Sequence, residues 1–297
     1  MLRALCKATM VGLALLCWTL PALAGDVLPV MVSIAPQRYF VEQIGKQHVA
    51  VEVLVPPGLD PHTYEPKPGQ MAALAKAKIY FAVGVPFEKA WLPKFSAANP
   101  LMRVVHTDQG IVKIPMVDHD HLEKPRAGEV QEHDSDGFDP HIWLSPPLVK
   151  LQAQSILNAL QAIDPDHGDE YAANGRRFMA EIDQLDADLR SIFAGKTGLR
   201  FMVFHPAWGY FAQAYGLEQV PIEMAGKEPK PAQLEALIIR AKQRGIQVVF
   251  AQPQYSAKSA QIVAQEIHGQ VVLADPMAAD WASNLRAVAE KFKAALK

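Results

Sequence analysis

The chain is poor in cysteine. Of its 297 residues only Cys6 and Cys17 carry thiols, and both fall in the first 17 positions. No disulfide framework can hold the remainder, so the fold depends on its core or on a bound ligand. Long apolar runs are equally scarce. The one candidate, residues 8–20, is shorter than the roughly 20 residues a membrane span needs, and no later stretch approaches that length. Charge is nearly balanced, with 29 basic and 31 acidic residues, which excludes the basic footprint of a nucleic-acid binder. Catalytic signatures are missing too: there is no HExxH and no GxSxG. Gly195-Lys196-Thr197 resembles the end of a phosphate loop, but Arg190 stands where its first glycine belongs.

The N-terminus has Arg3 and Lys7, the apolar run, then Pro21-Ala22-Leu23-Ala24. That order predicts a signal peptide over residues 1–24, cut near Gly25, and hence export. Cys17 would serve as a lipidation site only in a less favoured reading, because Leu15-Leu16 before it lacks the usual small residue. Removing the leader moves the formal charge from −2 to −4, since it holds two basic residues and no acidic one.

Beyond the leader, short β-branched runs alternate with longer amphipathic stretches, the pattern of an α/β protein. Strands are predicted over 28–34, 49–55, 79–83, 103–106, 200–204, 247–250 and 270–273. Helices are predicted over 36–44, 67–77, 147–163, 207–214, 231–244, 257–267 and 281–296. Between 166 and 193 no strand intervenes, and Phe178, Ile182, Leu185, Leu189 and Ile192 recur at three- and four-residue steps. One helix there would run about 40 Å. The division that follows is an N-terminal lobe over 25–165, a long connecting helix over 166–194 and a C-terminal lobe over 195–297. Residues 115–138, with His119, His121 and His133 among Asp118, Asp120, Glu132, Asp134 and Asp136, lack periodicity and are predicted to be a mobile loop.

Histidine placement carries the functional signal. Residues 60–68 read DPHTYEPKP and 139–146 read DPHIWLSP. Their prolines forbid regular helix, so both are stiff loops presenting a histidine at the same offset, His62 and His141. His62, His205 and Asp275 each follow a predicted strand, where open α/β sheets place ligand sites. Together with His141 they would make an N3O set suited to four-coordinate Zn2+. Each alone has an ordinary reading as well, since a histidine after a strand is commonly a hydrogen-bonded surface residue and Asp-Pro is a common turn opener. Glu65 reads either as a carboxylate supporting the ligands or as a helix-start residue. The loop histidines read as a solvated tract or as weak metal capture. His48, His106, His167 and His268 have no supporting context and are read as structural.

Taken together, DPHTYEPKPGQ, DPHIWLSP, FHPAWGYFAQAYGL, IEMAGKEPKPAQL, VVFAQPQYSAKSA and DPMAADWASNL, with the leader and the acidic loop, resemble the metal-binding lipoprotein/adhesin class of ABC-transporter substrate-binding proteins, particularly its zinc-specific periplasmic members. The resemblance spans essentially the whole mature chain. It implies two α/β lobes joined by one long rigid helix, a metal between them held by His62, His141, His205 and Asp275, and delivery to a membrane permease driven by an ATPase. Manganese-carrying members usually have glutamate at the third position; His205 there favours zinc. The loop departs from the family in having three histidines where many zinc members have a denser run. A monomer is expected. The competing readings are a manganese- or iron-carrying member, a zinc hydrolase with three histidines and a water, and an extracellular adhesin with a structural zinc.

Overall fold

The structure, a computed structural model, describes residues 27–116, 137–224 and 226–295. The leader and the loop histidines His119, His121 and His133 lie outside the described residues.

The first lobe comprises β1 (Leu28–Val32), α1 (Ala35–Gly45), β2 (Val49–Val53), α2 (Pro68–Leu74), β3 (Ile79–Ala82), α3 (Pro86–Ala98) and β4 (Arg103–His106). Two helices follow, α4 (Pro146–Ile163) and α5 (Gly168–Phe193). The second lobe comprises β5 (Arg200–Val203), α6 (Gly209–Tyr215), β6 (Glu218–Pro221), α7 (Pro231–Gln243), β7 (Val248–Ala251), α8 (Lys258–Glu266) and β8 (Gln270–Leu273), and α9 (Trp281–Ala295) ends the chain.

Each lobe contains a four-stranded parallel sheet, ordered β2-β1-β3-β4 in the first and β6-β5-β7-β8 in the second. The two orders are the same, so one βαβ plan is used twice. Register is fixed by apolar pairs such as Val32 with Phe81 and Val203 with Phe250. β3 and β7 are buried along their whole length, as central strands covered on both faces must be.

The long helix forms where its stripe predicts. Phe178, Ile182, Leu185, Leu189 and Phe193 are buried along one face of α5, with Asp169 and Glu170 in the first turn and Arg190 in the last, a charge order that suits the helix dipole. α5 packs on α4, α1 and α9. From α9, Trp281 stands edge-on to Phe40 of α1, ring centroids 5.1 Å apart. One continuous apolar core thus runs from β1 and β3 through α5 and α9 into β5 and β7. A smaller core fills the other face of the second sheet, around Val220, Leu237, Val249 and Val263.

Two elements differ from expectation. α3 is not among the predicted helices. Pro86 occupies the first turn, where its missing N–H costs nothing, and Pro93 is accommodated mid-helix. β6 was also not foreseen; its sequence EQVP has one β-branched residue and a terminal proline. The predicted loop over 115–138 is pinned at its ends: Pro115 bridges Phe138, and Met116 N donates to Gly137 O at 2.7 Å.

Candidate metal centre

The repeated DPH has a local explanation. In the first copy His62 N donates to Asp60 Oδ1 at 2.9 Å, and in the second His141 N donates to Asp139 Oδ1 at 2.8 Å. Each aspartate therefore closes a turn over its proline, fixing the backbone of the histidine two residues on. Asp275-Pro276-Met277 makes the same turn, with Met277 N donating to Asp275 Oδ1 at 2.9 Å. His205 is fixed differently: it follows β5, and the Gln252 amide grips its backbone, Oε1 accepting from His205 N and Nε2 donating to His205 O, both at 2.9 Å.

These devices bring three imidazoles together. His62, His141 and His205 each offer a ring nitrogen within 4.8 Å of the others. His141 and His205 are 2% and 6% exposed, and their Nε2 atoms stand 3.4 Å apart. His141 Nδ1 lies 2.7 Å from Asp139 Oδ1, and His205 Nδ1 lies 2.9 Å from Glu223 Oε1. With each Nδ1–H donated to its carboxylate, both Nε2 lone pairs face inward. His62 Nε2 is buried there without a hydrogen-bond partner. Two nitrogens ligating one tetrahedral zinc at 2.0–2.1 Å stand roughly 3.3–3.4 Å apart, the separation seen here.

Protonation is opposed at the same place. Burial, then the neighbouring His205 and His141 rings, lowers the His62 pKa to about 3. Burial, then His205, holds His141 well below the usual imidazole range. Asp139 moves the other way, raised by burial to about 7 against the bond from His141 and the proximity of His205. Neutral rings with convergent lone pairs are the form a divalent cation needs.

Asp275 is not among the three clustered groups. Its Oδ1 is engaged by Met277 N and by Gln254 Nε2 at 2.8 Å. Glu65 is exposed; the carboxylates bonded to the clustered rings are Asp139 and Glu223. Glu223 escaped sequence reasoning because it follows the unforeseen strand β6, and the Asp139 turn role was overlooked although the twin motif displayed it.

A family profile described as "ZnuA: Zinc-uptake complex component A periplasmic" matches residues 30–295. The chain is 32% identical over 247 residues to the high-affinity zinc uptake system protein ZnuA of Bacillus subtilis, covering 82% of this chain and 76% of that one. A solved structure described as the crystal structure of ZnuA superposes with a TM-score of 0.83 at 46% identity, covering 92% of this chain and all of the other. Another, a zinc-bound ZnuA lacking its residues 138–173, gives 0.82 at 45% identity over 92% of this chain and 99% of that one.

Proposed function

The chain belongs to the ZnuA family of periplasmic zinc-uptake components, and from that premise we propose how it works: it captures Zn2+ between its lobes and hands the ion to the permease of an ATP-driven importer. The observation that carries the reading is the convergence of three imidazoles, each with a ring nitrogen within 4.8 Å of the others, two of which commit Nδ1 to a carboxylate. Imidazole-rich sites favour zinc over manganese by ligand softness and by the usual order of affinities. The protein is a carrier and not an enzyme, acting in the periplasm as a monomer.

In this reading His62, His141 and His205 are the ligands. Asp275 is the fourth, approaching through Oδ2 while Oδ1 keeps its bonds to Met277 and Gln254. Such a closed set holds metal without activating water. The ligands divide between the lobes, His62 and His141 preceding α5 and His205 and Asp275 following it, in keeping with lobes over 25–165 and 195–297 and a connector over 166–194. The metal then bridges them. The loop histidines, by the same reading, take a weaker part in metal capture.

A competition titration of the metal-stripped chain against a chromophoric chelator tests this. Wild type is expected to bind one zinc tightly and manganese far more weakly. His205→Ala should lose more than the 10–100-fold typical of an outer partner, and Asp275→Asn should weaken binding by less than His205→Ala does. Equal zinc affinity in wild type and His205→Ala overturns the assignment; an unchanged Asp275→Asn gives the fourth position to water.

A further inference from the structure

The three imidazoles are anchored unequally. The segment bearing His141 is stitched to the second lobe by buried bonds: Trp143 Nε1 donates to Pro276 O at 2.7 Å, Trp281 Nε1 to Trp143 O at 2.6 Å, and the Tyr210 hydroxyl to Asp139 O at 2.8 Å. His205 is held inside that lobe by Gln252 and Glu223. His62, by contrast, stands on the connection from β2 to α2, where Pro57, Gly58 and Leu59 are exposed and Gly58 takes φ +79° with open space around it.

This connection is joined across the cleft by Tyr255, on the segment after β7. The Tyr255 hydroxyl donates to Asp60 Oδ1 at 3.3 Å. The same oxygen accepts His62 N, so the atom Tyr255 grips is the one that shapes the His62 turn. The Tyr255 ring also lies against the His205 ring, centroids 4.9 Å apart and planes tilted by 31°. A single side chain therefore covers the ligand of the second lobe and holds the base of a ligand from the first. Burial, then the Asp60 and Glu223 charges, raises the phenol pKa above its usual value and keeps it a donor.

We propose that Tyr255 is a positioning residue, its hydroxyl latching the His62 turn through Asp60 and slowing the departure of bound zinc. The metal half of this statement rests on the zinc-capture reading; the latch itself does not. Nothing in the ligand set requires Tyr255, since the hydroxyl contributes no ligand atom. It acts on how long His62 stays in place.

Tyr255→Phe keeps the ring and removes the donor. Zinc transfer into excess chelator, followed by stopped flow, is expected to speed up roughly three- to tenfold, the worth of one ordinary hydrogen bond, with the association rate unchanged. In the zinc-free chain, amide exchange should quicken over residues 57–64 and stay the same over β1 and β3. On an Asp60→Ala background the substitution should add nothing further, because the acceptor is already gone. Unchanged release from Tyr255→Phe, or an undiminished further acceleration by Tyr255→Phe on the Asp60→Ala background, overturns the latch. So does faster exchange spread over the whole first sheet, which is simple destabilisation. A wild-type chain that takes up no zinc removes the capture reading instead, and the exchange comparison then decides the latch alone.

Discussion

A histidine becomes a metal ligand through what its other nitrogen does. His141 and His205 each commit Nδ1 to a buried carboxylate, Asp139 and Glu223, which fixes the tautomer, aims the ring and raises its basicity toward a cation. On the zinc-capture reading, removing that partner leaves the ligand present and misdirected. Glu223→Ala is expected to lower zinc affinity about 10–100-fold with the circular dichroism of the zinc-free chain unchanged. Asp139→Ala should be worse, since Asp139 Oδ1 receives both the ring and the backbone N–H of His141. Chelator competition on the two variants checks the order, and a Glu223→Ala protein binding as tightly as wild type would show that His205 needs no orienting partner. Both DPH stretches were legible in the sequence as stiff histidine-bearing turns because proline chemistry is local. The carboxylates' pairing with ring nitrogens was not: Glu223 reaches His205 across 18 residues through two neighbouring strands, a contact that only the sheet creates.

At the scale of elements, the carboxyl end of the first sheet is drawn together by a single side chain. Glu88, in the first turn of α3, accepts from Val83 N at 2.9 Å, Gly84 N at 2.8 Å and Ser33 Oγ at 2.5 Å, and Ser33 Oγ in turn meets Tyr80 Oη. It thereby ties β1, β3 and α3. Complete burial pushes its carboxyl from 4.5 up to about 7, outweighing the three hydrogen bonds that act the other way. Between those two values the folded chain keeps a proton that the unfolded chain has released, so stability from this group falls as pH rises through that window. The shift corresponds to about 3 kcal/mol. Glu88→Gln should lower stability at every pH, because an amide cannot accept all three bonds, and should also flatten the slope. Urea denaturation of zinc-free wild type and variant at pH 5 and pH 7.5 reads the difference, to which Asp139, His62 and His141 contribute equally in both proteins. Parallel profiles would contradict it. The same region marks where element prediction failed. β4 and β8 end on the residues that periodicity predicts, and α5 follows its stripe, because those signals are properties of a few consecutive residues. α3 is absent from the predicted helices; Pro93 falls inside it, where packing of Phe87 and Phe95 into the core offsets the lost backbone bond. The shared strand order of the two lobes was likewise invisible, since crossovers decide it and no local pattern records them.

For the whole molecule the question is whether the metal holds the fold or the fold holds the metal. The main core passes from the first sheet through α5 and α9 into the second without reference to the site, and Trp143, Trp281 and Tyr210 bond the lobes together around it. Among the described residues no helix is long and apolar enough to cross a membrane. A structural zinc in a small domain supplies folding free energy outright and its removal unfolds the chain; here the main core is built from residues outside the histidine cluster. Stripping zinc with a chelator should therefore leave far-ultraviolet circular dichroism and the radius of gyration from solution scattering unchanged. Adding it back at a hundredfold excess over Kd should stabilise by about 2.7 kcal/mol, a rise in Tm of roughly 5–10 °C for a chain of this size. A core that spans both lobes also bars the wide hinge swing of carriers whose lobes meet only through flexible strands. On the zinc-capture reading, loaded and empty forms are then expected to differ close to His62 and Tyr255. A zinc-free chain that is unfolded, or that expands markedly in scattering, would make the ion a structural part of the fold and end its role as cargo.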